Sequence, residues 1–389
     1  MKKFLILTDI GFSNRDYLRF GIEILRKKYQ VEILDFTEWL SPEYWKTYKE
    51  KIFYCDGYKK ILNYEDFEKN ITKKNIISVI DYLSSDKSYL IKNYINKNQI
   101  PITKVQAGTV LENKRTFIEW LLKLFFLILD PKVLLKKILM RLKAKYIKNK
   151  SNFSYNYLII AGFAGLNTPI ARNAKKIIKA HTYDYDIFLK SKNKTSILHK
   201  EPYAVFLDQY LPFHPASIFR KEKSLVTSEN YYFSLNDFFK NFEDKTGLEV
   251  VFAAHPRSRY DLYSKYLYGR KYHLFKTSEL VKNSKIVLLH TSTSISFAIL
   301  YNKPLIFLTS NEYKKSFDDF RINSYSRTMN SLLFNIDDKD NYSKIPKGNG
   351  IFSFDKNKYK EYKNEHIKYS GTPDNYLWSI FLDNIEKRV

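Results

Sequence analysis

Residues 286–308 read Ile286-Val287-Leu288-Leu289-His290-Thr291-Ser292-Thr293-Ser294-Ile295-Ser296-Phe297-Ala298-Ile299-Leu300-Tyr301-Asn302-Lys303-Pro304-Leu305-Ile306-Phe307-Leu308. The opening apolar run, 286–289, is too short for a helix and rich in β-branched and branched-chain residues. Hydroxyl side chains follow, then apolar residues at helical spacing over 294–300, then a second apolar run at 305–308. Strand, helix, strand over so short a stretch predicts two parallel strands joined by a crossover helix. Upstream, the same rhythm gives strands at 203–207 and 248–253 and helices at 234–242 and 278–282. In the first half it gives strands at 4–8, 31–34, 76–80, 100–105 and 158–161, with a helix at 17–28. A chain written this way builds parallel sheets covered by helices.

The length of 389 residues calls for about two domains. The polar, aperiodic stretch at 190–201 supplies the boundary. The expected organisation is a first Rossmann-like domain over 1–195, a second over 196–370, and a terminal helix within 371–389. Hydrophobic residues at 44% and charged residues at 28% suit two packed cores and argue against wholesale disorder. The formal charge of +25 draws the surface toward polyanions. The Lys is scattered, however, and neither a zinc finger nor an aromatic-basic RNA signature is present, so no nucleic-acid partner is expected. The lone Cys55 precludes an intramolecular disulfide and a cysteine-based zinc site.

Met1-Lys2-Lys3 followed by Phe4-Leu5-Ile6-Leu7 superficially suggests a secretion signal. Asp9 ends the apolar run short of the ~7–15 residues such a signal needs, so a first strand and a cytoplasmic protein are expected. Residues 117–148 break the α/β rhythm. They are rich in Trp, Leu, Phe and Ile and then in Lys, with Lys123, Asp130 and Pro131 preventing a span of the ~20 apolar residues a bilayer needs. Two readings stay open: a helical hairpin packed on the first domain, or an amphipathic insertion in the interface of an anionic inner membrane.

Four elements carry candidate chemistry. His255-Pro256-Arg257 follows directly on a strand, where open α/β sheets bind ligands. Thr291, Ser292, Thr293 and Ser294 precede a helix and can offer hydroxyls and free N–H groups to a phosphate, or simply cap it. Asp208 and Gln209 end the first strand of the second half, with His214 close behind. Asp184 and Asp186 lie in His181-Thr182-Tyr183-Asp184-Tyr185-Asp186; in extended chain they share a face, and their proximity would raise one pKa, as a general base requires. Turn formation and capping explain both acidic elements equally well.

Taken in order, the acidic motif, Asp208-Gln209, His255-Pro256 and the Ser/Thr run resemble bacterial sialyltransferases and related surface-carbohydrate transferases, over roughly residues 157–389. The resemblance implies a GT-B architecture, two Rossmann-like domains facing across a cleft, here with a basic helical insertion in the first. It implies Asp184 or Asp186 as base, His255 as phosphate ligand or acid, and Asp208, Gln209, Pro256, Arg257 and Thr291–Ser294 on the donor side. It also implies a CMP-linked sugar as donor, a glycan or glycolipid as acceptor, and neither metal nor cofactor. The acidic pair lacks the family's following Gly, and His290-Thr291-Ser292-Thr293-Ser294 stands where the family has a Ser-Ser pair. A polyol-phosphate transferase, a sugar-nucleotide epimerase and a non-catalytic membrane scaffold are the alternatives.

Overall fold

The computed structural model describes residues 1–71, 75–106, 153–195, 197–220, 223–314, 319–348 and 352–386, and Leu135, Ile138, Leu139 and Leu142 besides. Most of the 117–148 insertion lies outside the described residues.

Among the described residues, thirteen strands form two wholly parallel sheets. The first contains β1 (Lys3–Thr8), β2 (Gln30–Asp35), β3 (Tyr58–Lys60), β4 (Ile76–Tyr82), β5 (Ile102–Gln106), β6 (Tyr157–Ala161) and β7 (Lys176–Ala180), in the order 3-2-1-4-5-6-7. The second contains β8 (Tyr203–Leu207), β9 (Glu249–Ala254), β10 (Tyr272–Leu274), β11 (Ile286–Leu289), β12 (Leu305–Thr309) and β13 (Leu332–Asn335), in the order 10-9-8-11-12-13. Both sheets are covered on both faces. The near-continuous apolar strands say why: every residue of β8, β11 and β12 is buried, as strands sandwiched between helices must be.

Each sheet reverses its strand order once, between β1 and β4 in the first and between β8 and β11 in the second. A crevice opens at such a switch point, beyond the carboxyl ends of the strands, because the loops on its two sides leave in opposite directions. The two crevices face one another. Arg257, in the loop after β9, donates to the Ile10 carbonyl after β1 at 3.4 Å.

The periodicity reading of one helix over 17–28 is corrected here. The segment is two helices, Asn14–Arg19 and Ile22–Arg26, broken at Gly21, whose φ of 54° lies in the left-handed region. The break has a cause at the other end of the chain. The C-terminal helix, Leu377–Glu386, returns from the second half and buries Leu377, Trp378 and Phe381 in the first half's core. The Trp378 indole N–H donates to the Arg19 carbonyl at 2.7 Å, and a Cβ on residue 21 would stand 2.5 Å from the Trp378 ring. Only glycine satisfies both the dihedral and the space. Gly21→Ala is expected to cost about 2–5 kcal/mol, from about 1–2 for the left-handed backbone and about 1–3 for overpacking. A denaturant titration showing less than about 0.5 kcal/mol would mean that the helix seats differently.

Candidate functional site

Strands β8, β9 and β11 are neighbours, so the loops that follow them share one edge of the second sheet. At this edge Asp208 is 5% exposed, and burial pushes its carboxyl up to about 6. Its oxygens accept from the Tyr210 N–H at 2.7 Å, the Tyr260 hydroxyl at 2.9 Å and the His255 N–H at 3.4 Å. Asp208 therefore shapes the loop that carries His255. Gln209 crosses the switch point: its side-chain oxygen accepts from the Thr291 N–H at 2.8 Å, and its amide reaches the Thr291 hydroxyl at 3.5 Å. His290 is fully buried and held near pKa 4 by burial. One ring nitrogen lies 2.6 Å from the Leu308 carbonyl and the other 2.8 Å from the Tyr231 hydroxyl. A neutral ring donating to the first and accepting from the second satisfies both, and pins the end of β11.

The Ser/Thr run that follows begins a short helix, Ile295–Leu300. The Ser292 hydroxyl accepts from the Ser294 N–H at 3.2 Å, and Thr293 is exposed. Ser296, one turn on, donates to the Thr293 carbonyl at 3.2 Å.

On the neighbouring loop, His255 and His214 stand with ring centroids 5.2 Å apart. Burial, His214, Arg15 and Arg257 hold the His255 pKa well below the ordinary imidazole value. It is a neutral ring among cations. The Arg257 guanidinium lies over the Tyr44 ring of the first half, 5.5 Å from its centroid.

The expectation that Asp184 and Asp186 share a face does not survive. Thr182 caps a helix, Tyr183–Ser191, its hydroxyl accepting from the Tyr185 N–H. Residues two apart on a helix diverge. Asp186 accepts from the Leu377 N–H at 2.9 Å and pairs with the buried His181 at 3.7 Å, so it anchors the C-terminal helix away from the cleft. Asp184 turns the other way. Burial raises its pKa, with Arg19, Arg15 and the Ser296 hydroxyl pulling it down. Its helix lies between the halves, with Tyr183 in the first core and Tyr185 in the second.

Arg15 ties the arrangement together, acting electrostatically on both Asp184 and His255. Arg15 and Arg19 escaped the sequence reading. They matter only because their helix opens beside the switch point, and strand order is not written in local periodicity. Among the described residues no cluster of three or more His, Cys, Asp or Glu could hold a metal ion.

No protein-family model and no curated protein matches the chain. Solved structures do resemble it. The wall teichoic acid polymerase TagF superposes with a TM-score of 0.55 at 12% identity, covering 100% of this chain and 90% of that one. The UDP-GlcNAc 2-epimerase of Methanocaldococcus jannaschii, in complex with UDP-GlcNAc and UDP, gives 0.45 at 13% identity over 100% of both chains. The S. aureus MnaA–UDP structure gives 0.46 at 13% identity, covering 92% and 94%. Identities this low speak to fold and not to chemistry. The chain has the GT-B fold: two Rossmann-like halves, each a parallel sheet, with their ligand-binding edges opposed.

Proposed function

We propose that the chain is a glycosyltransferase that moves a sugar from a nucleotide-activated donor to a glycan, glycolipid or protein acceptor in surface-glycan synthesis, a CMP-linked nonulosonic acid being the first donor to test. One observation carries the reading. At the switch-point edge that faces the first half, Asp208 accepts from the His255 N–H, Gln209 accepts from the Thr291 N–H, and Arg257 of the His255 loop crosses to the Ile10 carbonyl. Asp184 is half-buried, and burial raises its pKa while Arg19 and Arg15 pull it down.

In the proposed reaction an acceptor hydroxyl attacks the anomeric carbon. The new glycosidic C–O bond forms as the bond from that carbon to the donor phosphate breaks, and the hydroxyl proton passes to Asp184. The nucleotide leaves with the bonding pair, its charge met by His255, the guanidiniums, the hydroxyls of Thr291–Ser294 and the N–H groups of Ser292 and Thr293. No step calls for a metal or cofactor. Closure of the two halves keeps water from competing with the acceptor. A thermal-shift screen of CMP, CDP, UDP, GDP and ADP tests the reading: selective stabilisation by CMP supports the donor named above. No stabilisation by any nucleotide, under conditions where the protein is folded, would sink it.

The His214–His255 pair favours a second reading, phosphoryl transfer in the manner of a polyol-phosphate transferase, with one imidazole taking a proton and the other giving one. TagF, of the same fold, is a wall teichoic acid polymerase. The product decides: a phosphodiester retains phosphorus visible by ³¹P NMR, whereas a glycoside does not gain it.

We further propose that the chain works at the inner face of the cytoplasmic membrane. No helix among the described residues is long and apolar enough to cross a bilayer. Leu135, Ile138, Leu139 and Leu142 are helical and exposed by 58, 44, 57 and 58%. Their spacing aligns them along one face, in a stretch of sequence that also holds Lys132, Lys136, Lys137, Arg141, Lys143 and Lys145. An apolar stripe amid basic residues suits the surface of an anionic leaflet. Combined Leu139→Glu and Leu142→Glu should lower co-sedimentation with phosphatidylglycerol vesicles by about tenfold or more, without changing nucleotide binding. Unchanged sedimentation would remove the proposal.

A further inference from the structure

A cavity of about 170 Å³ opens between the halves on the first-half side of His255. Its walls are aromatic and its charged groups are mainly cationic. Tyr44 and Tyr48 stack with ring centroids 4.7 Å apart and an interplanar angle of 30°. Phe53 lies beside them, and Pro256 and Phe275 close the second-half side. Phe275 sits at φ 60° with 63% of its surface exposed. A bulky side chain disfavours that backbone conformation, and such residues concentrate where a ring must be presented to a ligand.

Arg15 and Arg257 reach into the same space. Arg257 spends one N–H on the Ile10 carbonyl. Arg15, half-buried, makes no hydrogen bond or ion pair with any described residue, and its pKa is lowered first by desolvation and then by the nearby Arg19 guanidinium. Glu50 and Lys51, both exposed, stand at the rim with opposite charges.

Aromatic faces suit the apolar C–H face of a sugar ring, and the planar fork of an arginine suits a carboxylate or phosphate held bidentately. The geometry points to this cavity as the subsite for the acceptor's terminal residue, and to that residue as an acidic sugar, carrying a carboxylate or phosphate. The inference rests on the glycosyl-transfer reading. The acceptor is assigned here, and not the donor, because the cavity is built chiefly from the loop and helices after β1 and β2, whereas Gln209 and Thr291–Ser294 line the opposite edge.

The test uses a pair of probes differing only in charge, methyl β-D-glucoside and methyl β-D-glucuronide, titrated by ligand-observed NMR against the full chain. The glucuronide is expected to bind about tenfold tighter or more, as charge-assisted hydrogen bonds require. Arg15→Gln and Arg257→Gln should each shrink that preference, and Tyr48→Ser should weaken both probes alike. Far-UV circular dichroism and the melting temperature of the unliganded variants report whether they remain folded. Equal affinity for the two probes, no binding of either, or a preference that persists in both arginine variants overturns the acidic-acceptor assignment, while nucleotide stabilisation would leave the transferase reading standing. Arginine-dependent glucuronide binding in a protein that no nucleotide stabilises would separate the two in the other direction.

Discussion

Asp184→Asn should lower transfer by about 10²–10⁴-fold, the range a positioned base contributes, with nucleotide binding retained and stability unharmed. The side chain keeps its shape and loses only its proton affinity. The sign of the stability change follows from the raised pKa. A carboxyl whose folded pKa exceeds its unfolded value contributes stability that is full below the unfolded pKa and is lost as pH rises through the folded one. Above the folded pKa the charge is a cost, and the amide removes it. The variant is therefore expected to melt at the same temperature as the parent or higher, and the difference should narrow in acid. In the parent, activity should fall with decreasing pH along a limb placed above the usual carboxylate range, and that limb should be missing from what activity the variant retains. A variant that keeps its turnover, or that loses it only by unfolding, would remove Asp184 from the mechanism. Phosphoryl transfer by the two imidazoles would leave Asp184→Asn largely active, so the same substitution discriminates the two chemistries.

His255→Ala is expected to cost about 10²–10⁴-fold in turnover, for a different reason. The ring is neutral in the free protein because it is buried and flanked by His214, Arg15 and Arg257. Below the ordinary imidazole pKa the unfolded chain takes up a proton there that the folded chain refuses, so stability falls as pH drops through that value. The alanine variant lacks this penalty and should tolerate mild acid better than the parent. A phosphate arriving beside the ring favours its charged form. Nucleotide binding should thus be accompanied by proton uptake, measurable as a dependence of the calorimetric heat on the buffer's ionisation enthalpy, and this uptake should shrink in the variant. If heat is independent of buffer in both proteins, the phosphate sits elsewhere.

Much of the fold was legible because buried parallel strands announce themselves. The runs at 203–207 and 286–289 coincide with β8 and β11. The strands that escaped were of another kind. β3, β7 and β13 include exposed or half-exposed positions, and β10 is three residues long, so none is written as a continuous apolar run. Within the site, His255 and the Thr291–Ser294 run were findable from their place after apolar strands. Asp184 and Asp186 were findable as residues but not as geometry: a Thr cap and helical backbone turn the first toward Arg19, Arg15 and Ser296 and the second to the C-terminal helix. Arg15, Tyr48 and Phe275 acquire meaning only once the two sheet edges are opposed. That opposition is a tertiary fact with no local signature.

The return of the terminal helix bears on how the polypeptide matures. Phe4, Ile6, Ile80 and Ile159 share a cluster with Trp378 and Phe381, so the earliest-made strands wait for a cover synthesised after the entire second half. At ~5–20 residues per second the interval from the first strand is on the order of 20–75 s. Throughout it, a nascent sheet presents an oily flank that a ribosome-associated chaperone would be well placed to shield.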